Sequence, residues 1–294
     1  MPQVNFDAKK KRGKKADETK TTNPFVKAKE SGRRLKLFLW GDTGTHKTIL
    51  SLQFPNPTVI DLEKGTEHYG KDFAFHVADP PPATAAKVID LVDWLGSNKH
   101  SYRTLVIDPI TVLWEMVQKQ WSDIFLNRNR QSKGFKHEYY DLQVKDWQTI
   151  KAYWKDFINK ILLLDMNVIV TARQKAQYAD SGFMKKVGET FDGEKTLPYM
   201  FDVVMQMYKQ DDKFCARCIK DRTNHFKEGE ELIEPSYATF EDLFGKGLSR
   251  KSKPVIEEKP EPEQKPTGNF AEDKRLRIIE DIKGNLKALS LIHI

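Results

Sequence analysis

The chain has 294 residues, 39% hydrophobic and 11% aromatic, enough to bury one sizeable core with a small appendage. Its formal charge of +7 is concentrated at one end: residues 1–36 hold twelve Lys/Arg against four Asp/Glu, which leaves −1 for the rest. No apolar run nears the roughly 18 residues of a membrane span. The N-terminus lacks an apolar signal core, and the lone C-x-x-C pair, Cys215 and Cys218, has no second ligand pair for structural zinc. The expectation is a soluble intracellular protein with reduced, structural thiols and no membrane contact.

Residues 1–32 have no periodicity and are rich in Lys, Thr and Asn, which predicts a disordered basic tail. Its KKKRGKK run (9–15) suits either non-specific phosphate binding or a solvated leader. Short apolar runs then alternate with helical segments. LKLFLW (35–40), TVIDL (58–62), FAFHV (73–77), TLVID (104–108) and NVIVTA (167–172) read as buried strands. Helices are predicted over about 48–53, 83–96, 110–126 and 141–164. Continuous apolar strands separated by helices predict a parallel sheet covered on both faces. FDVVMQMYK (201–209) and KFCARCIK (213–220) read as antiparallel hairpin strands that extend it.

Beyond this core (33–248), the Pro- and charge-rich stretch 249–269 predicts an extended linker. Residues 270–294 predict an amphipathic helix through Leu276, Ile279, Ile282, Leu286 and Leu289. The pattern breaks off at LSLIHI without a cap signal, as a truncated reading frame would.

The most specific motif is GDTGTHKT (41–48), directly after the first strand. Its spacing is that of a phosphate-binding loop, G-x-x-x-x-G-K-[ST], with His46 in place of the second glycine. Polyphosphate needs converging backbone N–H groups and one mobile cation. Gly41, Asp42, Thr43, Gly44, Thr45 and His46 supply the backbone, Lys47 the cation, and Thr48 a hydroxyl for Mg²⁺. In TVIDLEKG (58–65), Asp61 and Glu63 stand at a strand end, where a carboxylate can polarise an attacking water. TLVIDPITVL ends its strand at Asp108, about 60 residues after Lys47, as a Mg²⁺-holding Walker B aspartate does. NVIVTARQK delivers Thr171 and Arg173 from a further strand end.

In this order the motifs resemble the RecA-type P-loop ATPase core over residues 33–245. More narrowly, they resemble the AAA/RecA-like proteins of phages that act in single-strand annealing or recombination. The resemblance implies ATP and Mg as cofactors, Thr48 and Asp108 as metal ligands, and Glu63 as the residue that activates water. The γ-phosphate-sensing glutamine of that family falls on Arg173, and Pro109 replaces its usual small hydroxyl residue. The family's DNA-contacting loops fall on 127–140 and 173–196. There Arg128, Arg130, Lys133, Lys136 and Tyr139, then Lys175, Lys185 and Lys186, mix cations with aromatic faces as single-strand binding requires. Lys220 and Arg222 could reach a neighbour's phosphate in a homo-oligomer.

Two functions follow from this. One is a Mg-dependent ATPase acting on single-stranded DNA in phage-type recombination, repair or replication, in the bacterial host cytoplasm. The other is a nucleotide-switched binding module with little turnover, whose tails recruit replication or recombination proteins. A small-molecule kinase fits less well, because no lid-like Arg cluster follows the sensor strand.

Overall fold

A computed structural model describes residues 27, 34–130, 142–178 and 185–244. The expected tail, linker and C-terminal helix therefore lie outside the described residues, as do Lys133, Lys136 and Tyr139. No helix among the described residues is long and apolar enough to cross a membrane.

The described chain forms an α/β fold around one mixed, mostly parallel sheet. Five parallel strands carry its centre: β1 (Lys36–Gly41), β2 (Pro57–Asp61), β3 (His76–Val77), β4 (Thr104–Asp108) and β5 (Asn167–Tyr178). The antiparallel hairpin of β7 (Val203–Gln210) and β8 (Lys213–Asp221) continues the sheet, with β7 parallel to β1, and β9 (Glu231–Ile233) closes that edge. The order is β3-β2-β4-β5-β1-β7-β8-β9, with β6 (Lys186–Phe191) paired to β5 off that path.

Side-chain alternation in this sheet builds two cores. Phe38, Trp40, Leu105, Ile107, Val168 and Val170 face one side. There they meet α2 (Ala85–Ser97), α3 (Ile110–Asn129) and α4 (Val144–Leu163). Leu37, Leu39, Val106 and Ile169 face the other, with α1 (Lys47–Leu52) and Phe240 of α6 (Tyr237–Phe244). Both faces are thus covered, which is why these strands read as continuous apolar runs. Two of the helices, α2 and α4, start where side chains satisfy their free amides. Thr84 accepts from the Lys87 amide at 3.3 Å, and Gln143 with Asp146 forms a reciprocal capping box. Lys36, buried within β1, donates to the Leu164 and Met166 carbonyls at 2.9 and 2.8 Å, so its ammonium is not stranded in the core.

Three sequence expectations change. FAFHV is a strand only at His76–Val77; Phe73 and Phe75 pack onto the second core from the connecting segment. Residues 173–196 do not form one loop, because β5 runs on to Tyr178 and pairs antiparallel with β6. A short helix, α5 (Leu197–Met200), and the strand β9 had no clear periodic signal.

Candidate functional site

The parallel strands end in one row. Sheet register sets Asp61 opposite Asp108 and Gly41 opposite Arg173, so the tips of β1, β2, β4 and β5 converge at the edge where open α/β sheets bind ligands. The loop 41–46 leaves β1 at this edge and feeds directly into α1.

Gly41 is fixed by sterics. A Cβ there would lie 2.1 Å from the Met207 carbonyl oxygen of β7, so only glycine lets the two strands approach. Gly44 has φ +73° and open space around it, so its backbone conformation is what selects glycine. His46 is also left-handed, at φ 63° and ψ 21°, where a side chain costs about 1–2 kcal/mol. Its ring stacks on Phe214 of β8 with an interplanar angle of 21°. Burial lowers the His46 pKa, opposed by Glu234 and reinforced by Lys209, so the ring is neutral near pH 7.

Lys47 folds over the loop, its ammonium donating to the Gly41 and Asp42 carbonyls at 2.9 and 2.6 Å and to Thr45 Oγ1 at 3.3 Å. Burial lowers its pKa, while Asp108, Asp42 and Glu63 pull it back up. Those three carboxylates therefore share the field of this one cation.

Asp108 gathers the site. Thr48 Oγ1 donates to Asp108 Oδ2 at 2.6 Å, and Thr171 Oγ1 donates to Asp108 Oδ1. β5 lies between β1 and β4 in the sheet, which is why a β5 hydroxyl reaches the carboxylate that the β1–α1 loop also reaches. Burial drives the Asp108 pKa up, against the lowering effect of both hydroxyls. A hard divalent cation suits this set, which offers a carboxylate and a hydroxyl and leaves the remaining positions to phosphate and water. Thr48 and Asp108 would hold Mg²⁺, with Lys47 and the loop amides left for the phosphates.

Asp61 does something else. It is 4% exposed and accepts from the amides of Glu63, Gly65 and Thr66 and from Thr66 Oγ1, all within 3.2 Å. Its carboxylate is thus used up in shaping the turn that carries Glu63. Glu63 itself is half-exposed and ion-paired with Arg173, whose other nitrogen lies 3.9 Å from Glu115 on α3. Sequence alone did not bring Glu115 or Phe214 into the site. Thr171 was visible only as a polar residue at the end of an apolar strand.

The remaining expected residues lie elsewhere. Arg128 sits over the Phe125 ring and 4.0 Å from Asp146, and Arg130 is exposed. On the β5–β6 hairpin Lys175 pairs with Asp192 and Lys186 with Glu189, while Lys185 is exposed. Lys220 donates to the Pro198 and Phe201 carbonyls at 2.8 and 2.6 Å, and Arg222 donates to the Tyr199 carbonyl. Both cations therefore close the end of α5 within their own chain. Cys215 and Cys218 are free and buried, and burial pushes the Cys218 thiol up to about 11, outside any reactive range.

Comparison with curated proteins returned no match. Among solved structures, the crystal structure of the RadB recombinase is similar at 15% identity with a TM-score of 0.42, covering 67% of this chain and 86% of that one. A family model described as AAA domain (AAA_24) matches residues 33–232, from just before the first strand into β9. The chain belongs to this AAA domain family and carries an AAA-type nucleotide-binding domain over that span.

Proposed function

We propose that the chain binds ATP with Mg²⁺ and hydrolyses it while acting on single-stranded DNA, as a RecA-like protein of the phage recombination type. The observation that carries the nucleotide part is the hydroxyl–carboxylate–hydroxyl chain Thr48–Asp108–Thr171 beside the half-buried Lys47 ammonium. Lys47 would neutralise charge on the β- and γ-phosphates, and Mg²⁺, held through Thr48 and Asp108, would supply Lewis-acid stabilisation of the transferring group. Glu63 would orient the attacking water once released from Arg173.

The DNA part rests on the RecA-like resemblance and on cations at the end of α3 and along the β5–β6 hairpin. The tails 1–32 and 249–294 would recruit partner proteins around a 33–248 core, and a homo-oligomer would need Lys220 or Arg222 to leave its α5 carbonyls.

One observation favours a second function, a nucleotide-switched binding module with little turnover. The acid expected to activate water is held by Arg173.

Steady-state hydrolysis titrated with a single-stranded oligonucleotide separates the two. DNA-stimulated turnover abolished by Glu63→Gln supports the ATPase. ATP binding without hydrolysis above that of Lys47→Ala supports the switch. ATP affinity unchanged in Lys47→Ala would overturn both. In the same titration, Arg128→Glu with Arg130→Glu should lower the salt slope of oligonucleotide binding by about two, and an unchanged slope removes DNA from that surface.

A further inference from the structure

The phosphate loop is fastened to the β7–β8 hairpin at both of its ends. At its start, the Gly41 backbone presses on the Met207 carbonyl so closely that a Cβ would not fit. At its finish, His46 stacks on Phe214 while standing in a left-handed conformation that glycine adopts without cost.

Phe214 is itself held in place. Its amide donates to Glu234 Oε1 at 2.9 Å, its carbonyl accepts from the Glu234 amide at 2.7 Å, and the Lys209 ammonium lies 6.0 Å from its ring centroid. Lys209 and Phe214 are register partners across the hairpin, so the lysine stands beside the ring on the same face while Glu234 holds the Phe214 backbone.

From this we infer that Phe214 is a positioning residue for the nucleotide loop. Its ring takes over the conformational role of the missing glycine, by holding residue 46 left-handed before nucleotide arrives. The idea rests on the assignment of residues 41–48 to nucleotide binding. The β7–β8 hairpin thereby becomes part of the binding machinery although none of its side chains need touch phosphate. A free loop with a β-carbon at position 46 would populate ordinary right-handed conformations and would have to be reordered on binding, which weakens affinity.

The test is a double-mutant cycle on the full chain, read as affinity for a fluorescent ATP analogue with a melting curve for each variant. Phe214→Ala should weaken binding about three- to tenfold, because the stack no longer holds residue 46 in its left-handed conformation. Phe214→Tyr should restore it, since the ring survives. In the His46→Gly background, whatever its own affinity, Phe214→Ala should have no further effect, because glycine needs no brace. Equal losses from Phe214→Ala with and without His46→Gly would overturn the proposal, as would no loss in either background. A loss that Phe214→Tyr fails to restore would also overturn it, since the ring would not be the cause. Lys47→Ala keeps the two levels apart: if it leaves affinity intact, the nucleotide assignment fails, whereas additive Phe214 and His46 effects with a Lys47-dependent site defeat only the brace.

Discussion

Two aspartates stand side by side at the ends of neighbouring strands, Asp61 on β2 and Asp108 on β4, paired in register and each preceded by an apolar run. Their partners could hardly differ more. Among the described residues, Asp61 accepts only from the next five residues of the chain, through three main-chain amides and one hydroxyl. Asp108 accepts from hydroxyls 60 residues before it and 63 after it. Local amides shape a turn; hydroxyls gathered from distant elements converge on the carboxylate for which we propose a cation. The chemical role of a strand-end acid is therefore written in who reaches it.

Breaking each aspartate in turn sharpens this contrast. Asp108→Asn should cut Mg-dependent turnover about a thousandfold, the several kcal/mol that metal-ion stabilisation contributes. The same variant should melt higher without nucleotide. The sign follows from linkage: burial raises the Asp108 pKa, so its charge destabilises the fold above that pKa, and Asn removes the charge. The advantage should disappear as pH falls below the unfolded carboxylate value near 3.9. A lower melting point at pH 7 would mean that Asp108, like Asp61, holds structure first.

Asp61→Ala should instead destabilise the fold by about 2–3 kcal/mol, because one buried and two part-buried amides lose their acceptor. Urea unfolding at unchanged m would read this directly. A variant of parental stability but dead in turnover would reverse the roles of the two acids.

The smallest effect belongs to the ion pair above them. Arg173→Ala should raise DNA-independent turnover severalfold, within the roughly 1 kcal/mol that an exposed pair contributes, by freeing Glu63. A fall in turnover would instead make Arg173 a contributor to the reaction.

How much of this was legible before any coordinates depends on the range of the interaction. β1, β4 and the first half of β5 announced themselves because burial on both faces leaves unbroken apolar runs, and the Lys47–Thr48 pair is local to its loop. Asp61 and Asp108 looked alike because a strand-end aspartate has the same local signature whatever later folds onto it. The second half of β5 escaped notice because Arg173 to Tyr178 is solvated on both faces, and such a strand has no apolar period. The stack of His46 on Phe214 joins residues far apart in sequence, so the odd residue in the loop and its remedy could not be connected by pattern.

One strand, β5, is both things at once: six buried residues inside the sheet, then, past Arg173, five paired with β6 in an outlying ribbon. Thr171 lies in the first part and Tyr178 at the tip of the second, about 20 Å apart at strand rise. The ribbon and the hydroxyl that touches Asp108 therefore belong to one continuous strand, whose pairing register shifts at its far end between Gln177 and Tyr178.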